Sequence, residues 1–395
     1  MNERVADTAY RRCAKDMEWQ TPPSSSVSHE QIQTRSCEDS VMLKGIKVID
    51  FTNYIPGPFT TLRLAELGAE VIKVESPEGD PARQNGNGLV FKAHNRGKKS
   101  IVLDLKQEEG KKVALDLIRQ ADVLVESFRP GVMEKFGLGY EAVSDIHPAL
   151  IYCSITGYGN KGEMSQLGSH DLNYMSVSGA LAQLKDKSGR PVHPSHTFAD
   201  YIGGMAASER ILAGLVARGI SGEGSYHCVS LAENMASLMT NHVLIEKETG
   251  YPNGVQVLNG TVISYGLYET KDHGYVTLAA LEPKFWLDFC KALGREDWVS
   301  AHYSKPDSGN PVYRELVDLF KSKTREEWSE FGQAVDCCLT PVLEAGELAE
   351  YPVFKEKDFI TGEGHVNMYG DHRGAVTPPP EKGEQTKEVL RDWLS

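Results

Sequence analysis

Short apolar runs alternate with stretches of helical spacing between residues 46 and 230. The runs fall at residues 46–51, 70–74, 100–104, 121–125, 150–155 and 226–230. Apolar runs of this length, bounded by turn residues, are typical of buried strands, and strands that alternate with amphipathic helices are typical of a parallel sheet. The pattern therefore predicts an α/β fold with a Rossmann-like, doubly wound parallel sheet that carries helices on both faces.

Helical spacing predicts four helices in this part of the chain and one at its end. They are expected at residues 59–67, 107–120, 200–217, 231–248 and 384–394. The first is expected to end at Gly68, and the Gly203-Gly204 pair would let the third helix pack closely against a neighbour. The stretch from residue 75 to about residue 97 is rich in Gly, Pro and Asn, and is predicted to be a loop.

The pattern changes after residue 262, where two alternating segments predict a β-hairpin with its turn at 271–274. This change predicts a second, smaller α+β domain. The predicted organisation is a loosely ordered N-terminal extension at 1–41, a large α/β domain at 42–228, linker helices at 229–264, a small α+β domain at 265–345, and a C-terminal segment at 346–395 that returns to the large domain.

Length and composition limit the classes of protein to which the chain can belong. At 395 residues it is too long for one ordinary core and suits at least two domains. The net charge of −13 argues against a nucleic-acid partner, although a local cluster of cations can still bind an anionic small molecule. No apolar run approaches the roughly 20 residues that cross a bilayer. We therefore expect a soluble globular protein without a membrane span.

Cysteine usage indicates a reducing compartment. The seven cysteines form no CxxC pair and are odd in number, as expected of free thiols in an intracellular protein. The N-terminal residues include several acids, in which transit peptides are poor, and the chain ends in Asp-Trp-Leu-Ser instead of a peroxisomal Ser-Lys-Leu address. We expect a cytoplasmic protein; a peroxisomal or mitochondrial location has no clear signal and stays open.

The common cofactor fingerprints are missing from the sequence. The turn after the first strand contains Pro56 and Pro58 where a dinucleotide fingerprint would have glycines, and neither a GxxxxGK[ST] phosphate loop nor a GxSxG nucleophile elbow is present. His193 and His196 form an HxxH pair beside prolines, without an evident third ligand. We predict neither a metal nor a redox cofactor.

His170, Asp171 and Asp200 are the residues whose types best fit acid–base chemistry. An imidazole exchanges protons near pH 7 unaided, and a carboxylate does so when its surroundings raise its pKa. Two such groups that face one carbon from opposite sides would invert it. The alternative is structural: His170 would form a hydrogen bond in a core, and the two aspartates would cap helices.

Several segments, in order along the chain, resemble the class III coenzyme A-transferase superfamily. They are LKGIKVIDF at 43–51, PGP at 56–58, LGAEVIKVE at 67–75, NRGKKS at 95–100, DVLVESFRPGV at 122–132 and TGYG at 156–159. The similarity extends from about residue 42 to residue 345. It implies a coenzyme A thioester as the substrate, with coenzyme A present only as part of that substrate.

Two branches of this superfamily differ at the residues that do the chemistry. Transferases resemble one another in an aspartate at the position of Asp171, which attacks the thioester to form a mixed anhydride. The α-methylacyl-CoA racemase branch has GHDINY, ADFAGG and IEPQF, and this chain is similar with SHDLNY at 169–174, ADYIGG at 199–204 and LEPKF at 281–285. The resemblance therefore implies racemase chemistry.

In the racemase branch, the resemblance implies a constellation of His170, Asp200 and Glu282, with Asp171 at a helix start that positions His170. One of His170 and Asp200 would remove the proton from the carbon next to the thioester carbonyl, and the other would deliver a proton to the opposite face. The enolate oxygen would need hydrogen-bond donors, which we expect to be backbone N–H groups near a helix start.

The family pattern also implies an interlocked homodimer, in which the small domain of one chain closes the site of the other. Glu282 would then reach His170 from the partner subunit. A carboxylate in this place would fix the tautomer of the imidazole and stabilise its protonated form.

Binding of the coenzyme A phosphates calls for cations or helix N-termini. The turn that contains Ile55 would pack on the ligand. The candidate cations are Arg96, Lys98, Lys99, Arg129 and Lys135. The alternative for each of them is an ordinary surface role.

Two departures from the racemase pattern bear on the substrate. Ser76 stands where racemases usually have Arg, and LNGTVI at 258–263 stands where they have LDGGAP. The second segment is expected to border the acyl pocket. An altered acyl group, different from the branched fatty or bile-acid type, is therefore compatible with the sequence, and a peptide-like or polyketide-derived thioester fits as well as a 2-methylacyl thioester.

Three functional hypotheses result. The first is an acyl-CoA racemase or epimerase that inverts the carbon next to a 2-methylacyl or related thioester. The second is a coenzyme A-transferase with Asp171 as the covalent nucleophile. The third is an acyl-CoA binder without catalytic activity.

Overall fold

The computed structural model of the chain describes residues 41–186, 188–369 and 376–394. The predicted N-terminal extension lies outside the described residues, apart from Val41. Two separate β-sheets are present in the described part, with two hydrophobic cores on the larger sheet and one on the smaller sheet. None of the helices in these three ranges is long and apolar enough to cross a membrane.

Six parallel strands form the larger sheet, in the order β3-β2-β1-β4-β5-β6. The strands are β1 (Lys47–Phe51), β2 (Glu70–Glu75), β3 (Lys98–Val102), β4 (Val123–Glu126), β5 (Ile151–Thr156) and β6 (Ser225–Ser230). Each predicted strand is present, so the parallel sheet is confirmed. The strand order reverses between β1 and β4, which is where open α/β sheets bind their ligands.

The described residues contain more α-helices than were predicted, and two of the predictions about helical segments were wrong. The α-helices are α1 (Pro56–Glu66), α2 (Leu89–Asn95), α3 (Glu108–Ile118), α4 (Val132–Lys135), α5 (Tyr140–Ser144), α6 (Asp171–Val177), α7 (Phe198–Ser221), α8 (Leu231–Ser237), α9 (Thr240–Thr249), α10 (Pro283–Ala292), α11 (Pro311–Phe320), α12 (Arg325–Val335), α13 (Pro352–Lys355) and α14 (Thr386–Leu394).

The first difference is α2, which lies inside the stretch predicted to be a loop. Its inward-facing residues Phe91, His94 and Asn95 follow the i, i+3, i+4 spacing of a helix, but the glycines and asparagines before it obscured this period. The second difference is that residues 231–248 form α8 and α9 instead of one helix. The N–H groups of Leu238 and Met239 bond carbonyls three residues back, which tightens the last turn and ends α8.

Alternate residues of the large sheet face two different cores. Val48 belongs to the cluster that includes apolar residues of α7 and α8, and its neighbour Ile49 belongs to the cluster that includes residues of α3 and α14. The C-terminal segment is tied to the edge strand, because the N–H of Ser100 donates to Oε1 of Gln385 over 2.8 Å. This arrangement leaves the carboxyl ends of the strands for the loops that carry the candidate site residues.

The smaller sheet contains the predicted hairpin and one strand that was not predicted. Its strands, in the order β7-β8-β9, are β7 (Tyr265–Glu269), β8 (Tyr275–Ala279) and β9 (Leu339–Pro341), all antiparallel. Three buried tryptophans dominate its core, namely Trp286, Trp298 and Trp328. The limits of the two domains stay a prediction.

Candidate active site

The reversal of the strand order brings together the loops that follow β1 and β4. The N–H of Asn53, just after β1, donates to Oγ of Ser127, just after β4, over 3.1 Å. Ile55 precedes the first turn of α1 and is half-buried, and Pro56 stands at the first helical position, where its missing N–H costs nothing. Because α1 begins at Pro56, the two prolines of this turn start the helix three residues earlier than predicted.

A buried network of ion pairs donates hydrogen bonds to backbone carbonyls in and beside this turn. Nζ of Lys98 lies 3.1 Å from Oδ2 of Asp50 and donates to the carbonyl of Pro58 over 2.9 Å. Nζ of Lys73 lies 2.9 Å from Oδ2 of Asp80 and donates to the carbonyl of Thr52 over 2.8 Å. Both lysines and both aspartates are fully buried.

The charges of this network decide its protonation. Burial alone would raise the pKa of Asp50, but Lys98 and Lys73 hold that pKa well below its usual range. Burial lowers the pKa of Lys98 to about 8, in part offset by the charge of Asp50. The Lys98 ammonium is thus fully buried and bonds groups of the protein itself, so a phosphate cannot reach it in this structure.

Two more of the predicted phosphate-binding cations are also paired with carboxylates. Arg96 is buried, and its guanidinium bonds Glu66 and the carbonyl of Val366. Nζ of Lys99 lies 2.9 Å from a carboxylate oxygen of Glu70 and 3.0 Å from one of Glu388. The side chain of Lys99 is partly exposed, whereas that of Arg96 is buried.

Arg129 and Lys135 are exposed, but they lie in different surroundings. A Cβ added to Gly168 would lie 2.8 Å from Nη2 of Arg129, so this guanidinium lies against the backbone two residues before His170. Lys135, at the end of α4, lines an open groove together with charged residues of α3. Of the five predicted cations, Arg129 is thus the one that lies beside the chain segment carrying His170.

His170 and Asp171 lie at the start of α6. His170 precedes the first helical residue with extended backbone, and its N–H donates to Oδ1 of Asn173 over 3.1 Å. The hydroxyl of Tyr174 donates to the carbonyl of Ser169 over 3.0 Å. The imidazole of His170 is exposed while its backbone is held on both sides.

Asp171 joins the start of α6 to the start of α7. Its Oδ1 accepts the N–H of Asp200, the third residue of α7, over 3.1 Å, and its side chain is buried, with 9% exposed. The structural interpretation of Asp171 is therefore confirmed: it caps a helix. The same contact places its charge beside Asp200. Burial, together with that charge, raises the pKa of Asp200 to about 7.

A group of aromatic side chains adjoins this pair of carboxyl groups. Burial raises the pKa of Asp171, and the imidazole of His196 acts in the opposite direction. His196 stacks on Phe198 with ring centroids 4.7 Å apart and packs edge-on against Tyr201 at 5.0 Å. Sequence reasoning considered His196 only as a metal ligand, and no cluster of three metal-binding side chains occurs in the part of the chain that the structure describes.

Tyr201, the residue after Asp200, is fixed by a buried histidine. Nδ1 of His94 lies 2.8 Å from the carbonyl of Val90, so Nδ1 must carry the proton. Burial lowers the pKa of His94, which keeps the ring neutral. Its Nε2 therefore accepts the hydroxyl of Tyr201 over 3.0 Å. No feature of the sequence pattern pointed to this contact.

Glu282 lies at the N-terminus of α10, a helix that packs in the core of the smaller sheet. Its side chain is exposed, and among the residues described by the structure no hydrogen bond or ion pair joins it to His170. Within one chain, as far as the structure describes it, Glu282 therefore makes no direct bond to His170. The predicted approach from a partner subunit stays a prediction.

The sheet order is that of an open α/β fold, a class in which ligands bind at the carboxyl edge of the parallel sheet where the strand order reverses. Residues 43–391 match the family model "CoA-transferase family III". The chain belongs to this family.

Curated relatives of the chain include members with two different activities. It is 33% identical to human alpha-methylacyl-CoA racemase, over 89% of this chain and 93% of the relative. It is 34% identical to human succinyl-CoA:glutarate CoA-transferase, over 89% and 86%. The crystal structure of Rv3272 from Mycobacterium tuberculosis is 30% identical, covers 88% of this chain and 99% of that one, and has a TM-score of 0.76. These comparisons support the enzyme family and are equally close for both activities.

Proposed function

We propose that the protein is an acyl-CoA racemase or epimerase, which inverts the carbon next to a thioester carbonyl by 1,1-proton transfer. The observation that carries this proposal is the pairing of Asp171 with Asp200. A carboxyl group with a pKa of about 7 is equally able to give and to take a proton at neutral pH. His170, which adjoins Asp171 in sequence, supplies an imidazole as the second acid–base group.

In the proposed reaction, one of the two groups removes the α-proton and the other protonates the opposite face of the enolate. Asp171 keeps Asp200 protonatable, because its own negative charge disfavours a second charge beside it. Glu282, from the second subunit of the proposed homodimer, would stabilise the imidazolium form of His170. Arg129 would contact a phosphate of coenzyme A. Each acid–base group is expected to contribute roughly 10²- to 10⁴-fold in rate.

A coenzyme A-transferase is the second candidate, and the similarity to succinyl-CoA:glutarate CoA-transferase favours it. In that reaction a carboxylate oxygen of Asp171 would attack the thioester carbonyl, form a mixed anhydride and release coenzyme A as the thiolate. The geometry gives Asp171 less freedom for this role, since its side chain is buried and Oδ1 already accepts the N–H of Asp200.

Incubation of one enantiomer of 2-methyldecanoyl-CoA with the enzyme in D₂O separates the two candidates. The racemase predicts α-deuterium in the product together with loss of optical purity, and replacement of either group, in His170→Ala or Asp200→Ala, abolishes the racemisation. Transfer of coenzyme A to an added free carboxylic acid, with trapping of Asp171 by hydroxylamine, would instead establish the transferase.

A further inference from the structure

The loop that carries Glu282 is held by two side chains from one short segment. Nε2 of His302 lies 2.8 Å from the carbonyl oxygen of Ala280. The hydroxyl of the next residue, Tyr303, donates to the carbonyl oxygen of Leu281, also over 2.8 Å. Two consecutive side chains therefore bond two consecutive carbonyls, and these are the two carbonyls immediately before Glu282.

The hydrogen bond to Ala280 defines the tautomer of the His302 imidazole. A carbonyl oxygen only accepts, so Nε2 must carry a proton, and burial lowers the pKa of His302, which keeps the ring neutral. The imidazole is buried and stacks on Trp286, with ring centroids 5.7 Å apart and planes 5° from parallel. The ring of Tyr303 lies 4.0 Å from that of His302. The two donors thus form one packed unit.

The backbone of Glu282 is also fixed on its other side. Its carbonyl accepts the N–H groups of Phe285, over 3.1 Å, and of Trp286, over 3.4 Å. Pro283 occupies the first position of α10, where its ring restricts the chain. An exposed carboxylate therefore projects from a backbone that is restrained before and after it.

Folding alone accounts for only one of the two bonds. The carbonyl of Ala280 is buried and needs a partner, which His302 supplies. Leu281 is only half-buried and Tyr303 is 41% exposed, so water could satisfy this second carbonyl without the tyrosine hydroxyl. The hydroxyl bond instead fixes the peptide that leads into Glu282. Such support is what a side chain needs when it must meet a partner in one geometry.

We propose that His302 and Tyr303 are positioning residues, which hold the backbone of Glu282 so that its carboxylate meets the imidazole of His170 across the subunit interface. This inference rests on the proposed racemase function. It assigns to this part of the fold a role beyond packing, namely to fix the orientation of the Glu282 carboxylate.

Tyr303→Phe is the most specific test, because it removes one hydroxyl at a partly exposed site. The rate of α-deuterium exchange of 2-methyldecanoyl-CoA in D₂O is measured for this variant, for Glu282→Gln and for the double variant. We expect Tyr303→Phe to lower kcat about fivefold to tenfold, as loss of one hydrogen bond would, with little change in KM. The double variant should be no slower than Glu282→Gln alone.

The pH profile gives a readout that a purely structural role would not change. Without a well-placed carboxylate, the imidazolium of His170 is less stable, so the acidic limb of kcat/KM should move to lower pH in both Tyr303→Phe and Glu282→Gln. Tyr275→Phe is the matched control: this tyrosine lies on β8, is 49% exposed and should leave rate and profile unchanged.

The outcomes separate this inference from the function on which it rests. If Glu282→Gln slows exchange but Tyr303→Phe does not, or if the two losses multiply in the double variant, the positioning role is wrong and the racemase stands. If Glu282→Gln itself changes neither rate nor profile, the role of Glu282 is wrong. If the unaltered enzyme exchanges the α-hydrogen of neither 2-methyldecanoyl-CoA nor a peptide-like or polyketide-type 2-methylacyl-CoA, the proposed function fails.

Discussion

The backbone N–H of Asp200 donates a hydrogen bond to Oδ1 of Asp171 over 3.1 Å, and this contact links the starts of two helices. It also links two titrations, because burial and the charge of Asp171 together raise the pKa of Asp200 to about 7. A residue that caps a helix thus also contributes to the raised pKa of a neighbouring carboxyl group.

Asp171→Asn should separate these two effects. The amide oxygen can still accept the N–H of Asp200, whereas the charge is gone, so the pKa of Asp200 should fall but stay raised by burial. We expect the limb of the pH–rate profile that reports Asp200 to move to lower pH. The measurement is kcat/KM for α-deuterium exchange as a function of pH.

Asp171→Ala is the control for the cap. It removes the acceptor as well as the charge, and should cost about 1 kcal/mol more in free energy of unfolding than Asp171→Asn. A profile of Asp171→Asn that coincides with that of the unaltered enzyme would contradict the coupling of the two carboxyl groups.

Glu126, at the end of β4, should make the stability of the protein depend on pH. Burial raises its pKa from 4.5 to about 7, with partial opposition from the hydroxyl of Ser154 and the N–H of Phe128. The folded state therefore keeps a proton that the unfolded chain releases above pH 4.5. The stabilisation is complete below pH 4.5 and is lost as the pH rises through 7, by roughly 3 kcal/mol.

Glu126→Gln cannot ionise, so it should gain stability relative to the unaltered protein as the pH rises from 5 to 8. The free energy of unfolding in urea at both pH values measures this gain. Glu141→Gln, at an exposed position on α5, should show no such trend. Equal differences at pH 5 and pH 8 for Glu126→Gln would show that the carboxyl group is not held neutral in the folded state.

The neighbouring residues Lys98 and Lys99 offer a direct comparison of a buried and an exposed ion pair. Lys98→Met removes the cation that is paired directly with the buried carboxylate of Asp50 and leaves only the charge of Lys73 nearby, which should cost roughly 3–5 kcal/mol of folding free energy. Lys99→Met breaks pairs that are partly exposed and should cost less than about 1 kcal/mol. Urea midpoints measure both, and similar losses for the two variants would refute the structural role of Lys98.

Arg129 should contribute to coenzyme A binding because it is exposed, follows β4 at the reversal of the sheet and lies against Gly168. Arg129→Gln should raise the Kd for free coenzyme A about tenfold, and the loss should shrink at high salt. Arg119→Gln, which breaks an exposed pair with Asp116 on the surface of α3, is the matched control. An unchanged Kd for Arg129→Gln in calorimetry would remove Arg129 from the site.

The large sheet could be predicted from the sequence because its strands are short apolar runs, such as Val48 and Ile49, whose neighbours face opposite cores. Helix α2 could not, since its three inward residues follow a segment dense in glycine and asparagine. The strand β9 is too short to show any period.

Residue types identified the candidate site better than they identified its environment. The acid–base types of His170, Asp171 and Asp200 were evident, but the capping bond that couples the aspartates depends on two loops far apart in sequence. Lys98 and Arg96 are residue types that commonly bind phosphates. Only the fold shows that they are already paired with the carboxylates of Asp50 and Glu66. His196 was considered only as a metal ligand, because its packing against Phe198 and Tyr201 depends on the start of α7.

The most direct test of two acid–base groups on opposite faces is configuration-specific exchange. The (2R) and (2S) forms of 2-methyldecanoyl-CoA are each incubated in D₂O with His170→Ala and with Asp200→Ala. Each variant should lose racemisation yet still exchange the α-hydrogen of one configuration, and the two variants should retain opposite configurations. Loss of exchange with both configurations in one variant, and full racemisation in the other, would show that a single group does the chemistry and would contradict the account.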